Sequence, residues 1–278
     1  MILFVIEGER RESELLTTVC RLFFSGNNSQ RVVFLYCGNL YNLYRDVRRV
    51  SDDGIPYTTL GLLRERAFKL RQPAELIGVA ESDVSEIYLF FDYDLHHTDV
   101  NKTLTIDEKN DEVSEMLEFF SDETGNGKLF VSYPMIEALR YTKKLPDENF
   151  LSYRIALSDI GEFKRLSAEF SYYPDLKFAM LDERDESSRF KEVVANWQML
   201  IIQHVGKANE LCNGERGVPK DVESVSQRKI FVAQLLMQSL PPPFTTVLCS
   251  LPLFVFEYFG PKLLSGDKLS INDVPSGG

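Results

Sequence analysis

The chain is poor in the residues that mark secreted scaffolds, zinc modules and passive nucleic-acid binders. It has four cysteines, three histidines and one tryptophan in 278 residues. Cys20, Cys37, Cys212 and Cys249 are far apart and form no CxxC pair, which argues against a zinc knuckle or disulfide framework and for reduced thiols in a cytoplasm. Positive charge is also scarce: 31 Lys and Arg stand against 42 Asp and Glu, a formal charge of −11. Sequence-independent affinity for nucleic acid comes from cations neutralising phosphates, so a passive binding module is disfavoured. An enzyme that bridges its carboxylates to phosphate through metal ions escapes that objection. Long apolar runs are missing too. The longest, FTTVLCSLPLFVFEYFG at 244–260, is short for a membrane span and carries Pro252 and Glu257, so a buried helix or strand is expected and no membrane partner. Met1 is followed at once by the apolar Ile2–Ile6 without a basic segment, and no secretory signal is expected.

What remains is an ordinary globular composition, 44% hydrophobic and 26% charged, long enough for one large domain or two compact units. The first half alternates strand-like and helix-like segments, the pattern of an α/β domain with a mainly parallel sheet. ILFVI (2–6), RVVFLYC (31–37), EIYLFFDYD (86–94) and KLFVSYP (128–134) read as strands. Helical spacing marks Ser13–Phe24, much of 40–80 around a DDGIP turn, 108–120, and Met135–Lys144. From about Leu145 the alternation stops. Helical patterns at 158–170, 189–211 and 226–240 predict a mainly helical region, 146–278, after a catalytic unit at 1–145. The polar stretch 265–278 reads as a frayed tail.

Chemistry in an open parallel sheet gathers at the carboxyl ends of its strands, and acids occupy those ends here. Glu7 follows the first strand, with Gly8 behind it for a tight turn; Asp92 and Asp94 close the third. Clustered carboxylates are hard oxygen ligands suited to Mg²⁺ or Mn²⁺, and metal-assisted phosphodiester cleavage is their natural chemistry. The bland readings are a helix-start carboxylate for Glu7 and turn caps for the aspartates.

The motifs FVIEGE (4–9) and LFFDYD (89–94), in that order and at strand ends, resemble the TOPRIM domain of topoisomerases, primases and OLD-family nucleases; the resemblance covers residues 1–145. It implies a TOPRIM-like, Rossmann-related sheet flanked by helices. It makes Glu7 a general acid/base or metal ligand, and Asp92 and Asp94 metal ligands. Glu9 and Glu12 are then candidates for a second metal position. GKLFVSYPMIEAL (127–139) and VLCSLPLFVFEYFG (247–260) resemble small TOPRIM-like proteins of bacterial anti-phage systems, some acting beside an ABC-type ATPase. That implies a toxic effector cutting RNA, such as tRNA, or DNA.

Around this centre, Glu137 is a candidate metal or supporting carboxylate, or else an exposed helix acid. Arg10 and Arg11 either clamp a substrate phosphate or balance Glu9 and Glu12. Arg64 and Arg71, on one helical face of the densest basic run, are either a nucleic-acid track or a solvated face. His96 and His97 either shuttle protons or sit as loop histidines. His204, inside an apolar helix, reads as a packed structural residue. The alternative to a nuclease is a non-catalytic regulatory or assembly subunit of an ABC-type ATPase complex, its acidic surface docking on a basic partner. Self-association as a homodimer is left open by the sequence.

Overall fold

Strand β1 (Ile2–Ile6) is five consecutive apolar residues, all between 0% and 2% exposed, because both of its faces are covered. The structure, a computed structural model, describes residues 1–8, 10–24, 31–54, 56–69, 76, 78–93, 104–182 and 187–264. After β1 come α1 (Arg11–Val19), running into a π-turn at Cys20–Phe24, then β2 (Val32–Tyr36), α2 (Leu40–Asp52), α3 (Thr59–Lys69), β3 (Glu86–Asp92) and α4 (Ile106–Phe119). Two short antiparallel partners follow, β4 (Ser121–Asp122) and β5 (Gly127–Ser132). The C-terminal half holds β6 (Arg154–Ala156), α5 (Phe163–Phe170), α6 (Ser187–Asn213), α7 (Gln227–Gln238), β7 (Phe244–Thr246) and α8 (Ser250–Phe259). Residues 265–278, expected to fray, lie outside the described residues. No described helix is long and apolar enough to cross a membrane.

The chain forms two compact units interleaved along the sequence. The first comprises Met1–Ser13, Gln30–Phe91 and Thr98–Phe130; the second comprises Glu14–Ser29, Asp92–His97 and Val131–Gly278.

The first unit is organised by a five-stranded sheet of order β2-β1-β3-β5-β4. Here β1 runs parallel to both neighbours, Phe4 lying opposite Phe34 on one side and Tyr88 on the other. That register builds a row of rings across the sheet: Phe4 lies 5.9 Å from Phe34, 6.0 Å from Tyr88 and 5.4 Å from Phe90, and Phe90 stacks on Phe130. Gly127 opens β5 at φ +103°, and a Cβ there would stand 2.6 Å from Leu89 Cδ1, so the position tolerates only glycine. Helix α2 starts on Asn39, whose side chain accepts from the Asn42 amide, and buries Leu40, Leu43, Val47 and Val50 at helical spacing. A reciprocal Thr105–Glu108 capping box starts α4.

The second unit is built on α6, which buries Val193, Trp197, Leu200, His204 and Lys207 on one stripe and packs on α8. Trp197 donates its indole N–H to the Ala179 carbonyl at 2.9 Å, and its ring meets Phe23 edge-on. Phe24 packs against Phe254, Tyr258 and Phe259 of the α8 segment.

Three segments differ from the sequence reading. The expected helix at Met135–Lys144 is a five-residue 3₁₀ turn, Ile136–Arg140. Its side chains are spoken for elsewhere: the Arg140 guanidinium donates to Ser167 Oγ and to the Pro174 and Lys164 carbonyls, which holds this stretch to tertiary partners rather than a continuing helix. The C-terminal region is mainly helical but contains a two-stranded antiparallel sheet, β6 against β7, with Ile155 opposite Thr245. Three-residue strands from distant parts of the chain leave no periodic signal. The apolar run 244–260 divides into β7 and α8, so it is both strand and helix.

Candidate active site

Glu7 is the first residue after β1 and is half-buried. The turn that presents it is tied from α1: the Glu7 and Gly8 amides both donate to Glu12 Oε2, at 2.9 and 3.0 Å. Glu12 is 8% exposed, and these bonds place its carboxylate over the backbone of the turn. Gly8 permits this approach, since a Cβ there would come within 3.0 Å of Glu12 Oε1. On β1's other flank the Cys37 amide donates to the Ile6 carbonyl at 2.9 Å. Burial pushes the Cys37 thiol up to about 12, the nearby Arg66 opposes that shift, and the Glu7 charge adds to it. Arg66 itself bonds the Cys37 carbonyl at 2.6 Å and Asp46 at 3.2 Å, pinning α3 to the end of β2. This carboxylate, thiol and guanidinium group is contained in the first unit.

Asp92, the last residue of β3, belongs to the second unit. Its Oδ1 accepts the Ile136 amide at 2.8 Å. That amide opens the 3₁₀ turn carrying Glu137, which is 3% exposed and pairs with Lys164 Nζ at 3.7 Å. Burial raises the Cys249 thiol to about 12, and the charges of Asp92 and Glu137 add to the shift, so these two acids share a neighbourhood. Sequence reasoning missed the Ile136 amide and the Glu12 brace, because both bonds depend on how a turn folds back.

The basic candidates are placed as follows. Arg10 and Arg11 are exposed at the start of α1. Arg64 is half-buried and donates to the Val79 carbonyl, Arg66 is engaged as above, and Lys69 pairs with Glu65 at 2.7 Å. Glu9, Arg71, Asp94, His96 and His97 lie outside the described residues. Among the described residues no three of His, Cys, Asp and Glu stand together as a metal-holding group. Register supplies a topological fact about the sheet: Ile6 lies opposite Phe90 on parallel strands, Glu7 is the residue after Ile6, and Asp92 is the second residue after Phe90. Compared with protein-family models, curated proteins and solved structures, the chain finds no significant match.

Proposed function

We propose that the chain is a divalent-metal-dependent endonuclease, hydrolysing phosphodiester bonds in RNA or DNA, with Glu7, Asp92 and Asp94 as its acidic centre. One observation carries this reading: β1 and β3 are parallel neighbours, with Ile6 opposite Phe90, the first followed directly by Glu7 and the second ending in Asp92. In open α/β sheets that edge is where ligands bind.

The donor chemistry fits Mg²⁺ or Mn²⁺, because carboxylates are hard oxygen ligands. Asp92 and Asp94 would hold such an ion, with Glu7 as ligand or proton carrier. When bound, the ion supplies positive charge for the phosphate and its leaving oxygen. The protein's own groups do the rest. Glu12 fixes the backbone on which Glu7 is mounted, the Ile136 amide orients one Asp92 oxygen, and Glu7 takes the proton from the attacking water.

The test is cleavage of tRNA, single-stranded DNA and duplex DNA with Mg²⁺, with Mn²⁺ and with EDTA. Metal-dependent cutting that falls by about 10²-fold or more in Glu7→Gln and in Asp92→Asn is the expected result. Undiminished activity of Glu7→Ala removes this residue from the mechanism. No cutting of any substrate with either metal sinks the enzyme and leaves the non-catalytic ATPase-partner reading, to which the charge of −11 also suits the chain.

A further inference from the structure

Lys207 lies on the buried stripe of α6 and is only 1% exposed. An ammonium carries three N–H donors. One is given to the Tyr153 carbonyl at 2.5 Å, and the nitrogen sits 4.5 Å from the centre of the Phe150 ring. Among the described residues it has no ion pair. Glu210, one turn further along α6, is turned to Arg216 at 3.5 Å. A buried cation without a carboxylate partner is unfavourable unless an anion reaches it or it gives up its proton.

Lys207 also lines an open cleft of about 400 Å³, contained in the second unit. Across the small sheet, Arg154 on β6 lays its guanidinium 4.4 Å from the ring centre of Phe244 on β7, and both line the same cleft. Among the described residues Arg154 forms no ion pair either. The remaining lining sets apolar Leu151, Leu211 and Met237 beside Ser152, Tyr153 and Thr246. In a chain with eleven excess negative charges, this hollow presents a lysine and an arginine against one carboxylate, already engaged. Its volume is that of a small-molecule site.

We propose that this cleft binds a small organic anion, a carboxylate or phosphate ester on a flat apolar body, with the charge held between Lys207 and Arg154 and the body against Phe244. A guanidinium held over an aromatic ring still has N–H donors to give to such a ligand. The ammonium's two remaining N–H groups complete the pair. This inference is independent of the nuclease reading, since the residues belong to neither acidic strand end.

The experiment titrates the full chain by calorimetry with phenyl phosphate, benzoate and inorganic phosphate, in EDTA so that metal-held phosphate does not contribute. Saturable one-site binding of phenyl phosphate or benzoate is expected, tighter than that of inorganic phosphate; the tighter aromatic probe identifies the headgroup. Arg154→Ala, at an exposed position, weakens it about tenfold, as expected for one charge-assisted contact, whereas Arg165→Ala leaves it unchanged. Lys207→Met weakens it similarly. Should that variant not fold, acetic anhydride labelling of the unaltered chain replaces it, with saturating probe protecting Lys207 in the peptide mass map. Absence of saturable binding by both aromatic probes, wild-type affinity in Arg154→Ala, or undiminished labelling of Lys207 would each overturn the proposal.

Discussion

Two buried segments, β1 in the first unit and α6 in the second, use opposite chemistry to occupy an interior. Strand β1 contributes only apolar side chains, and its neighbours answer with rings. Helix α6 buries Trp197 and Leu200 but also Gln203, His204, Lys207 and Asn209. Each of these side chains bonds a named backbone atom through one of its polar atoms, while Gln203 Nε2 and His204 Nε2 are buried without a hydrogen-bond partner among the described residues. Gln203 accepts from the Asp147 amide, His204 Nδ1 accepts the Cys249 amide at 3.0 Å, Lys207 donates to Tyr153, and Asn209 donates to the Gly217 carbonyl at 3.0 Å. Apolar contact is non-directional and tolerates exchange. A buried hydrogen bond is directional, and half of one left behind is costly. The sheet core therefore resists substitution by bulk, whereas the α6 core is specified by partners.

Three measurements would break or sharpen this contrast. The largest effect should not separate the regions at all: Phe4→Ala and Trp197→Ala each remove a fully buried ring and should each lose about 3–5 kcal/mol in urea denaturation. A loss under about 1 kcal/mol at either site would contradict the burial described for that ring.

Apolar exchange should separate them. Phe4→Leu is expected to lose less than about 1.5 kcal/mol, and His204→Leu about 1–3 kcal/mol, because the Cys249 amide is left without its acceptor. Equal losses would remove the distinction between the two cores.

The smallest effect is a slope with pH. Burial holds Lys207 well below the usual lysine value, and the Glu210 and Asp147 charges only partly oppose it. Burial also holds His204 well below the usual histidine value, with the Lys207 charge adding to that shift. Between each folded value and its ordinary value the unfolded chain binds the extra proton, so stability rises as pH rises through that window. For His204 the window ends near the ordinary histidine value of about 6.5, and for Lys207 near about 10.4. Among the described residues, His204, Asp147, Glu210, Tyr153 and Arg154 are titratable or charged groups around Lys207. Stability of the parent chain should climb as pH rises towards about 10.4, by at most about 1.4 kcal/mol per unit, and Lys207→Met should flatten that climb. An unchanged slope in the variant would place the titrating group elsewhere.

Much of the fold could be read from residues in order. The continuous apolar runs of β1 and β3, the turn-bounded VVFLY of β2, and the periodicity of α4, α6 and α7 were all legible, because each element is long enough for its own period to emerge. The acids at strand ends were legible for the same reason, Glu7 falling directly after Ile6 and Asp92 at the end of β3. Lys207 had a weaker signal. Val193, Trp197, Leu200, His204 and Lys207 recur at spacings of four and three, which puts the lysine on the apolar face.

By itself, then, the order of residues determined which segments become strands and helices, which side of α6 turns inward, and which carboxylates stand at strand ends, since those depend on local sterics and hydrophobic period. Tertiary structure alone decided that β6 pairs with β7, that Ile136–Arg140 stops as a 3₁₀ turn, that Glu12 braces the Glu7 turn, and that Arg154 and Lys207 face one cleft. Each of those outcomes brings together groups from different positions along the chain, and such a meeting has no local period to announce it.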